Sequence, residues 1–521
     1  MIVKGETIMT ISTVFILLTI LLYLAGMLII GFKCAKKNSS SSDFYLGGRK
    51  LGPFVTAMSA EASDMSSYLL MGLPGVAYLS GLADVGWTII GLGLGTYFNW
   101  LLTARRLRRY TEVTGSITLP QFFSKRFHDE NKILTVVAAV IIIVFFIPYT
   151  ASGFAACGKL FSSLFSLPYM PCMIVSAIVI ISYTVAGGFL AASLTDFIQS
   201  IIMTFAIFIV LFYATTLAGG YNQVLTNASQ LAGYISFNLT HDPITKAASP
   251  YGFLTVVSTL AWGLGYFGMP HILLRFMAIE DEKKLSLSRR VATVWVLIAM
   301  AVALFIGVIG RVLSNLSIVE TLEGSASETI IVVIAKLLSS HGIFSAIIAG
   351  LILAGILAST MSTADSQLLA ASSSVSHDIL QDAMHINLSE KASIIAARTT
   401  VLIIAVLGLV IARNPASSVF SIVSFAWAGF GAAFGPVIIL SLYWKRATGL
   451  GALCGMISGG LMVLVWKFMI KPIGGIFGIY ELLPAFLVGL AVMVIVSFCS
   501  KNPEQSIIDE YNLASSHAEI K

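Results

Sequence analysis

Two carboxylates stand inside a segment that is otherwise apolar. The segment runs from about residue 52 to residue 74, and its centre reads Ser59-Ala-Glu-Ala-Ser-Asp-Met-Ser-Ser67. A charged side chain near the centre of a bilayer costs about 3 kcal/mol or more, so such residues usually line the path of an ion or a polar solute. A soluble linker or a polar interfacial turn is the alternative. Apolar segments of spanning length on both sides favour the first interpretation.

The overall composition is that of a membrane protein. Of the 521 residues, 57% are hydrophobic and 11% are charged, whereas about a quarter of the residues are charged in a typical soluble domain. Basic cytoplasmic loops are enough to explain the net charge of +6, so the charge does not indicate binding to nucleic acid. The five cysteines lack the spacing of metal ligands, and we interpret them as packing residues.

About thirteen apolar segments are long enough to cross a bilayer as α-helices, which needs about 20 residues. The chain is therefore predicted to be an all-α polytopic membrane protein. The segments lie near residues 9–32, 52–74, 78–104, 132–159, 167–187, 190–218, 253–277, 288–313, 340–376, 394–413, 416–443, 447–468 and 480–500.

Alternate loops are basic, and this pattern predicts the orientation. The loop after the first segment contains Lys36, Lys37 and Arg49, and the loops after the third and seventh segments are also rich in Lys and Arg. The long 219–252 loop contains a single Lys or Arg, which is Lys246. Because basic loops stay in the cytoplasm, we expect the N-terminus outside and the C-terminal tail inside.

Three of the predicted spans are interrupted. The second carries the polar stretch, the seventh reads Ala261-Trp-Gly-Leu-Gly-Tyr-Phe-Gly-Met-Pro-His271, and the ninth carries Ser359-Thr-Met-Ser-Thr-Ala-Asp-Ser-Gln367. A plain kink is the alternative for the seventh. The second and seventh stand five apart, which predicts two inverted units of five helices. Paired broken helices indicate the binding site of a secondary transporter, because unwinding frees carbonyls that can bind a cation.

Enzymatic function is not predicted, because the chain contains no HExxH, GxSxG or Walker-type motif. Short motifs spread over nearly the whole chain indicate its relationship instead. They are Tyr45-Leu-Gly-Gly-Arg-Lys-Leu-Gly-Pro-Phe54, Ala62-Ser-Asp-Met-Ser66, Leu70-Met-Gly-Leu-Pro-Gly75, Gly187-Gly-Phe-Leu-Ala191, Trp262-Gly-Leu-Gly-Tyr-Phe-Gly268, Pro270-His-Ile-Leu273, Arg275-Phe-Met-Ala278, Met361-Ser-Thr363 and Ala426-Trp-Ala-Gly-Phe-Gly-Ala-Ala-Phe-Gly-Pro436.

In this order the motifs resemble the sodium/solute symporter family, and within it most closely the bacterial sodium/proline symporters. The resemblance implies sodium-coupled uptake of a small amino acid, first of all L-proline, by alternating access across the bacterial inner membrane. The implied partners are the solute, sodium and the lipid bilayer, with no nucleic acid and no obligatory protein partner. Another small carboxylate-bearing solute, a passive channel and a sodium-binding sensor are the alternatives.

The resemblance also implies a LeuT-type core of two inverted five-helix repeats with discontinuous second and seventh helices. Residues 51–218 would form the first repeat and residues 253–443 the second. Residues 1–50 would add one N-terminal helix and a cytoplasmic loop. Residues 444–521 would add two helices and a short cytoplasmic tail.

For one sodium ion, the resemblance implies carbonyl ligands from Ala62, Met65 and Ser359 and hydroxyl ligands from Ser362 and Thr363. These are oxygen donors, which a hard cation such as sodium prefers. The two hydroxyls could instead bond back within their own helix, as membrane Ser and Thr often do.

Asp196 resembles an aspartate near a second, more cytoplasmic sodium position, with Gln199 and Asp365 as further candidates. Asp196 could instead cap the start of the sixth span. Arg49 resembles the family's basic residue at the cytoplasmic entrance and is a candidate gate, although it could simply anchor the loop at the membrane surface.

The resemblance points to a substrate pocket beside Asp64. A small zwitterion such as proline needs an apolar wall there, and aromatic faces attract its ammonium group. Helix packing or an interfacial belt is the alternative for these aromatic residues. Ser67, Tyr68 and Met269 replace residues common in sodium/proline symporters, so the solute could differ from proline. Glu61 has no assigned function. The remaining implied pocket residues are Tyr68, Tyr149, Trp262, Tyr266, Met269 and Pro270.

Overall fold

The computed structural model describes residues 10–35 and 45–516. Lys36 and Lys37 of the first predicted cytoplasmic loop lie outside these ranges, as do the two ends of the chain.

Helices form nearly all of the regular structure. A short hairpin of β1 (Leu239–His241) and β2 (Ala248–Pro250) lies in the long loop before the seventh predicted span. In chain order the helices are α1 (Ile11–Ala35), α2 (Pro53–Ser67), α3 (Leu73–Ser80), α4 (Leu82–Phe98), α5 (Arg105–Val113), α6 (Leu119–Arg126), α7 (Ile133–Phe165), α8 (Tyr169–Leu217), α9 (Tyr221–Ser229), α10 (Phe253–Leu260), α11 (Pro270–Ala278), α12 (Leu285–Asn315), α13 (Ile330–Ser339), α14 (Ile343–Ser373), α15 (Glu390–Ala412), α16 (Val419–Tyr443), α17 (Gly449–Val465), α18 (Leu482–Cys499) and α19 (Gln505–Ser515).

Among the described residues, ten helices are long and apolar enough to cross a membrane, or eleven if the bent pair Phe253–Gly268 and Pro270–Ala278 is one span. The predicted all-α membrane architecture is confirmed, whereas the number of about thirteen spans stays a prediction. The second predicted span is outside this set because it is broken and polar. The fifth predicted span is also outside it, because its apolar helix, Tyr169–Ser182, has fewer than 18 residues.

The second predicted span breaks at Ser66, whose φ of 48° and ψ of −168° are not helical. A left-handed φ costs free energy for a residue with a Cβ atom, and such strain often lies at functional sites. A π-helical turn, Tyr68–Gly72, then leads into α3. The polar stretch of the sequence therefore ends α2 inside the protein.

The seventh predicted span breaks at Met269. A 3₁₀ segment, Ala261–Gly268, precedes it, and α11 begins at Pro270 after a bend of 49°. Proline suits the first turn of a helix because its missing N–H would have no intrahelical partner there. The same proline cannot continue the preceding helix, so the break is fixed locally by the sequence.

The predicted interruption of the ninth span is wrong, because α14 is continuous from Ile343 to Ser373. Its hydroxyls bond within the helix: Ser359 Oγ and Thr360 Oγ1 donate to the Ile356 carbonyl at 2.8 and 3.0 Å. Polar side chains satisfied in this way do not unwind a membrane helix. The unbroken α14 packs against α1, α2, α7 and α8, and so faces the break in α2.

Glycines allow the backbone of the 3₁₀ segment to lie very close to neighbouring helices. A Cβ atom on Gly263 would lie 2.2 Å from the Gly91 carbonyl oxygen, and one on Gly265 would lie 1.9 Å from Trp427 Nε1. These glycines are therefore needed for close approach.

We predict that Gly265→Ala lowers the free energy of unfolding by about 1–3 kcal/mol, because the added methyl group must displace Trp427. Thermal unfolding of the purified protein measures the loss. Gly26→Ala is the matched control, since a Cβ atom there meets nothing within 4 Å. Equal stability of the two variants would contradict the packing described.

Candidate functional site

Helices α2 and α14 meet just before α2 breaks. Ser362 Oγ donates to the Ala62 carbonyl at 2.8 Å and to the Ser359 carbonyl at 3.2 Å, and Thr363 Oγ1 donates to the Ser359 carbonyl at 3.1 Å. Four of the five predicted sodium ligands thus form one hydrogen-bonded group. The fifth, Met65, is buried, and its carbonyl accepts the backbone N–H of Tyr68.

Both predicted hydroxyl ligands also form hydrogen bonds within α14, as expected if they bond back within their own helix. The bonds from Ser362 and Thr363 to Ser359 are local, whereas the bond from Ser362 to Ala62 crosses to α2. A hydroxyl has two lone pairs besides its proton, so each of them retains acceptor capacity for a cation.

Asp64 connects the first break to two other elements. Its Oδ2 accepts a hydrogen bond from the Tyr266 hydroxyl at 2.7 Å, and its backbone carbonyl accepts one from the Tyr149 hydroxyl at 3.1 Å. The other carboxylate oxygen, Oδ1, is buried without a hydrogen-bond partner among the described residues. This oxygen is available to a bound ion or solute.

A small cavity lies beside Asp64, and its walls include three further predicted pocket residues, Tyr68, Tyr149 and Trp262. Its volume of about 10 Å³ is far below that of an ordinary ligand site. Met269 and Pro270 are buried at the second break but do not line it. The full set of lining residues is Asp64, Met65, Tyr68, Leu92, Tyr149, Trp262, Met300, Val423 and Trp427.

Two aromatic rings that line this cavity stack against further aromatic rings outside it. The ring centroids of Tyr68 and Phe420 lie 5.5 Å apart, and those of Trp262 and Tyr480 lie 4.9 Å apart. Sequence reasoning missed Phe420 and Tyr480, because no local pattern indicates a stacking partner so distant along the chain.

Two side chains satisfy backbone carbonyls at the second break. Asn99 Nδ2 donates to the Tyr266 carbonyl at 3.0 Å, and Trp427 Nε1 donates to the Trp262 carbonyl at 2.8 Å. Sequence reasoning assigned neither donor. A buried amide inside an apolar segment was the signal that could have identified Asn99.

Asp196 takes part in a buried ion pair deeper in the same bundle. Arg275 Nη2 lies 3.0 Å from Asp196 Oδ2, and Ser59 Oγ donates to the same oxygen at 2.7 Å. The alternative that Asp196 caps a helix is wrong, because the break in α8 is at Gly188 (φ 71°) and Asp196 lies well inside the helix that follows.

The Asp196 region contains two carboxyl groups and one guanidinium. Arg275 also donates to Ser366 Oγ, which lies 3.3 Å from Asp365 Oδ1, so Arg275 contacts Asp196 directly and is linked to Asp365 only through Ser366. Three buried oxygens have no partner in the described part of the chain: Asp196 Oδ1, Asp365 Oδ2 and Gln199 Oε1. This arrangement suits a cation. Arg275 was missed, although a charge in an apolar span was the signal.

Arg49, just before α2, joins the first loop to two other segments. Its guanidinium donates to the carbonyls of Met277 at 2.6 Å, Thr111 at 2.9 Å and Ser116 at 2.8 Å. Burial, followed by the neighbouring Arg108 charge, lowers the pKa of Arg49 to about 10, so it is protonated at neutral pH. These contacts tie the first loop to the end of α11 and to the segment around residues 111–116.

Relatives of known name match almost the full length of the chain. A sodium/proline symporter from Haemophilus influenzae is 43% identical over 506 residues, covering 96% of this chain and 97% of that protein. The osmoregulated proline transporter OpuE of Bacillus subtilis is 40% identical, covering 94% of this chain and 96% of its own. A sodium/proline symporter from Escherichia coli is 39% identical, with 98% of both chains covered.

Solved structures show the same fold. A substrate-bound, outward-open Na⁺-coupled sialic acid symporter superposes with a TM-score of 0.76 over 94% of this chain at 18% identity. Mhp1, a nucleobase-cation-symport-1 family transporter, superposes with a TM-score of 0.54 over 91% at 12% identity. The LeuT-type fold is therefore confirmed. Residues 44–459 match the sodium:solute symporter family model, and the chain belongs to that family.

Proposed function

We propose that this protein is a sodium-coupled symporter that takes up L-proline by alternating access. The observation that carries the proposal is the contact between Ala62 and Ser362, which brings an oxygen-rich group against a broken helix beside an aromatic cavity. Relatives that are 39–43% identical are named for proline transport. A member of a symporter family is a transporter and not an enzyme.

Sodium would bind to the carbonyls of Ala62, Met65 and Ser359 and the hydroxyls of Ser362 and Thr363. These ligands come from both α2 and α14, so the ion would hold the two helices together. Asp64 follows Ala62 closely, and its charge would attract the ion, since two unit charges 4 Å apart interact with about 4 kcal/mol at an intermediate dielectric constant.

Proline would lie between Asp64 and the rings of Tyr68 and Trp262, with Tyr149 and Tyr266 holding Asp64 in place. Aromatic faces suit both its ring and its ammonium group. Because the cavity is too small for proline, the residues that line it would have to separate before the solute could enter. Alternating access requires such a movement. The departures at Ser67, Tyr68 and Met269 make another small carboxylate-bearing solute the second candidate.

The remaining assignments follow from the same proposal. A second sodium ion would bind between Asp196, Gln199 and Asp365, and Arg49 would act as the cytoplasmic gate. Residues 51–218 and 253–443 would be the two inverted repeats, each beginning with a broken helix. The protein would lie in the inner membrane with its N-terminus outside and its C-terminus in the cytoplasm.

Sodium-jump uptake into proteoliposomes tests the function directly. We expect labelled proline to accumulate only with an inward sodium gradient, ahead of other amino acids, pantothenate and sialic acid. We also expect counterflow, because a carrier exchanges solute whereas a passive channel and a sensor do not. Uptake that ignores sodium, or preference for another solute, would refute the assignment.

We predict that Asp64→Asn raises the sodium concentration for half-maximal uptake by about tenfold or more, since a loss of about 1.4 kcal/mol changes affinity tenfold. Initial uptake rates over a sodium series measure the effect. Asp242→Asn, in the long 219–252 loop, is the control and should match the wild type. Unchanged sodium dependence in Asp64→Asn would remove Asp64 from the site.

Trp262→Ala should weaken proline binding by about tenfold or more and affect sodium binding far less, because the indole forms a cavity wall. Equilibrium binding of each ligand to the purified protein separates the two effects. Trp87→Ala provides the control, since Trp87 bonds to the Phe237 carbonyl and does not line the cavity. If both affinities survive Trp262→Ala, the pocket lies elsewhere.

A further inference from the structure

Glu61 is buried in α2 and belongs to none of the sites proposed above. It is 1% exposed, and its Oε1 accepts a hydrogen bond from Trp100 Nε1 at 2.9 Å. Its Oε2 has no hydrogen-bond partner in the described ranges, and neither does Asp64 Oδ1. The two residues are three apart in α2, so their side chains lie on the same side of the helix.

Two neutral oxygens are placed near this pair by a neighbouring helix. Thr96 and Asn99 are 0% exposed, and Thr96 Oγ1 and Asn99 Oδ1 lack partners among the residues described. Thr96 precedes Asn99 by three residues and Trp100 by four, and residues at these spacings are neighbours on one helix face. The face is fixed to the carboxylates by three bonds: Trp100 to Glu61, Asn99 to the Tyr266 carbonyl, and the Tyr266 hydroxyl to Asp64.

Two other buried carboxylates in the described structure have lysine partners, whereas this pair has no cationic partner there. Glu328 lies 2.6 Å from Lys159 Nζ, and Glu481 contacts the ammonium groups of Lys467 and Lys471. Neither Glu61 nor Asp64 forms a salt bridge within the described residues. Because unpaired charge is costly to bury, the pair requires a neutralising partner, which is either bound protons or a cation.

We propose that Glu61 Oε2, Asp64 Oδ1, Thr96 Oγ1 and Asn99 Oδ1 bind a further sodium ion, separate from the ions proposed above. All four are hard oxygen donors, which suit sodium. Trp100 is a positioning residue that holds the other oxygen of Glu61. The choice of sodium as the cation rests on the proposed function, whereas the site itself rests on the four buried oxygens without partners.

Counting bound sodium tests this site. Radiolabelled sodium is equilibrated with the full-length purified protein in the absence of proline, and the ions bound at saturation are counted. We expect Glu61→Gln to bind one ion fewer than the wild type. The matched control is Glu481→Gln, which removes a buried carboxylate already paired with lysines and should leave the count unchanged. An unchanged count in Glu61→Gln, including one accompanied by proton uptake, overturns the proposal.

Thr96→Val keeps the test decisive if Glu61→Gln fails to fold. Valine preserves the shape and removes one neutral ligand, so the dissociation constant of a single sodium site should rise about five- to tenfold. Unchanged affinity at every site overturns the proposal. Since no proline is present, a wild type that binds sodium but does not transport proline refutes the substrate assignment and leaves this site standing.

Discussion

Backbone groups released by a helix break must find partners inside the protein, because hydrocarbon offers none. At the first break the Ser362 hydroxyl meets the Ala62 carbonyl, and at the second the Asn99 amide meets the Tyr266 carbonyl. Each break therefore requires polar atoms deep in the bundle. The atoms that make the breaks tolerable also form the oxygen-rich surroundings in which a small cation can bind, so fold and site share one cause.

Charge inside the bundle follows a second constraint. Arg275 neutralises Asp196 in the interior, and Lys159 neutralises Glu328, whose oxygens also accept the backbone N–H groups of Val419 and Phe420 at the start of α16. Each of these ion pairs joins elements far apart in sequence. Glu61 and Asp64, beside the break in α2, have no such cationic partner among the described residues.

The sequence predicts the breaks well, because their causes are local. Pro270 and the serines around Ser66 disfavour a continuous helix wherever the rest of the chain lies. The ninth span shows where this kind of prediction fails. Its hydroxyls form hydrogen bonds to carbonyls of their own helix, and α14 stays continuous. Tertiary partners escape prediction for the same reason: Arg275 and Phe420 acquire their contacts from distant segments, and only their unusual type or position marks them beforehand.

The glycine contact around the second break has a mechanical consequence. Gly263 meets Gly91 backbone to backbone, and no side chain interlocks between the two segments at that point. A shift of one segment along the other at this point needs no change of rotamer, because neither glycine has a side chain. The bond from Asn99 to the Tyr266 carbonyl ties the 3₁₀ segment to the residue that follows α4. A movement at this contact would therefore have to open a hydrogen bond and would not have to repack side chains there.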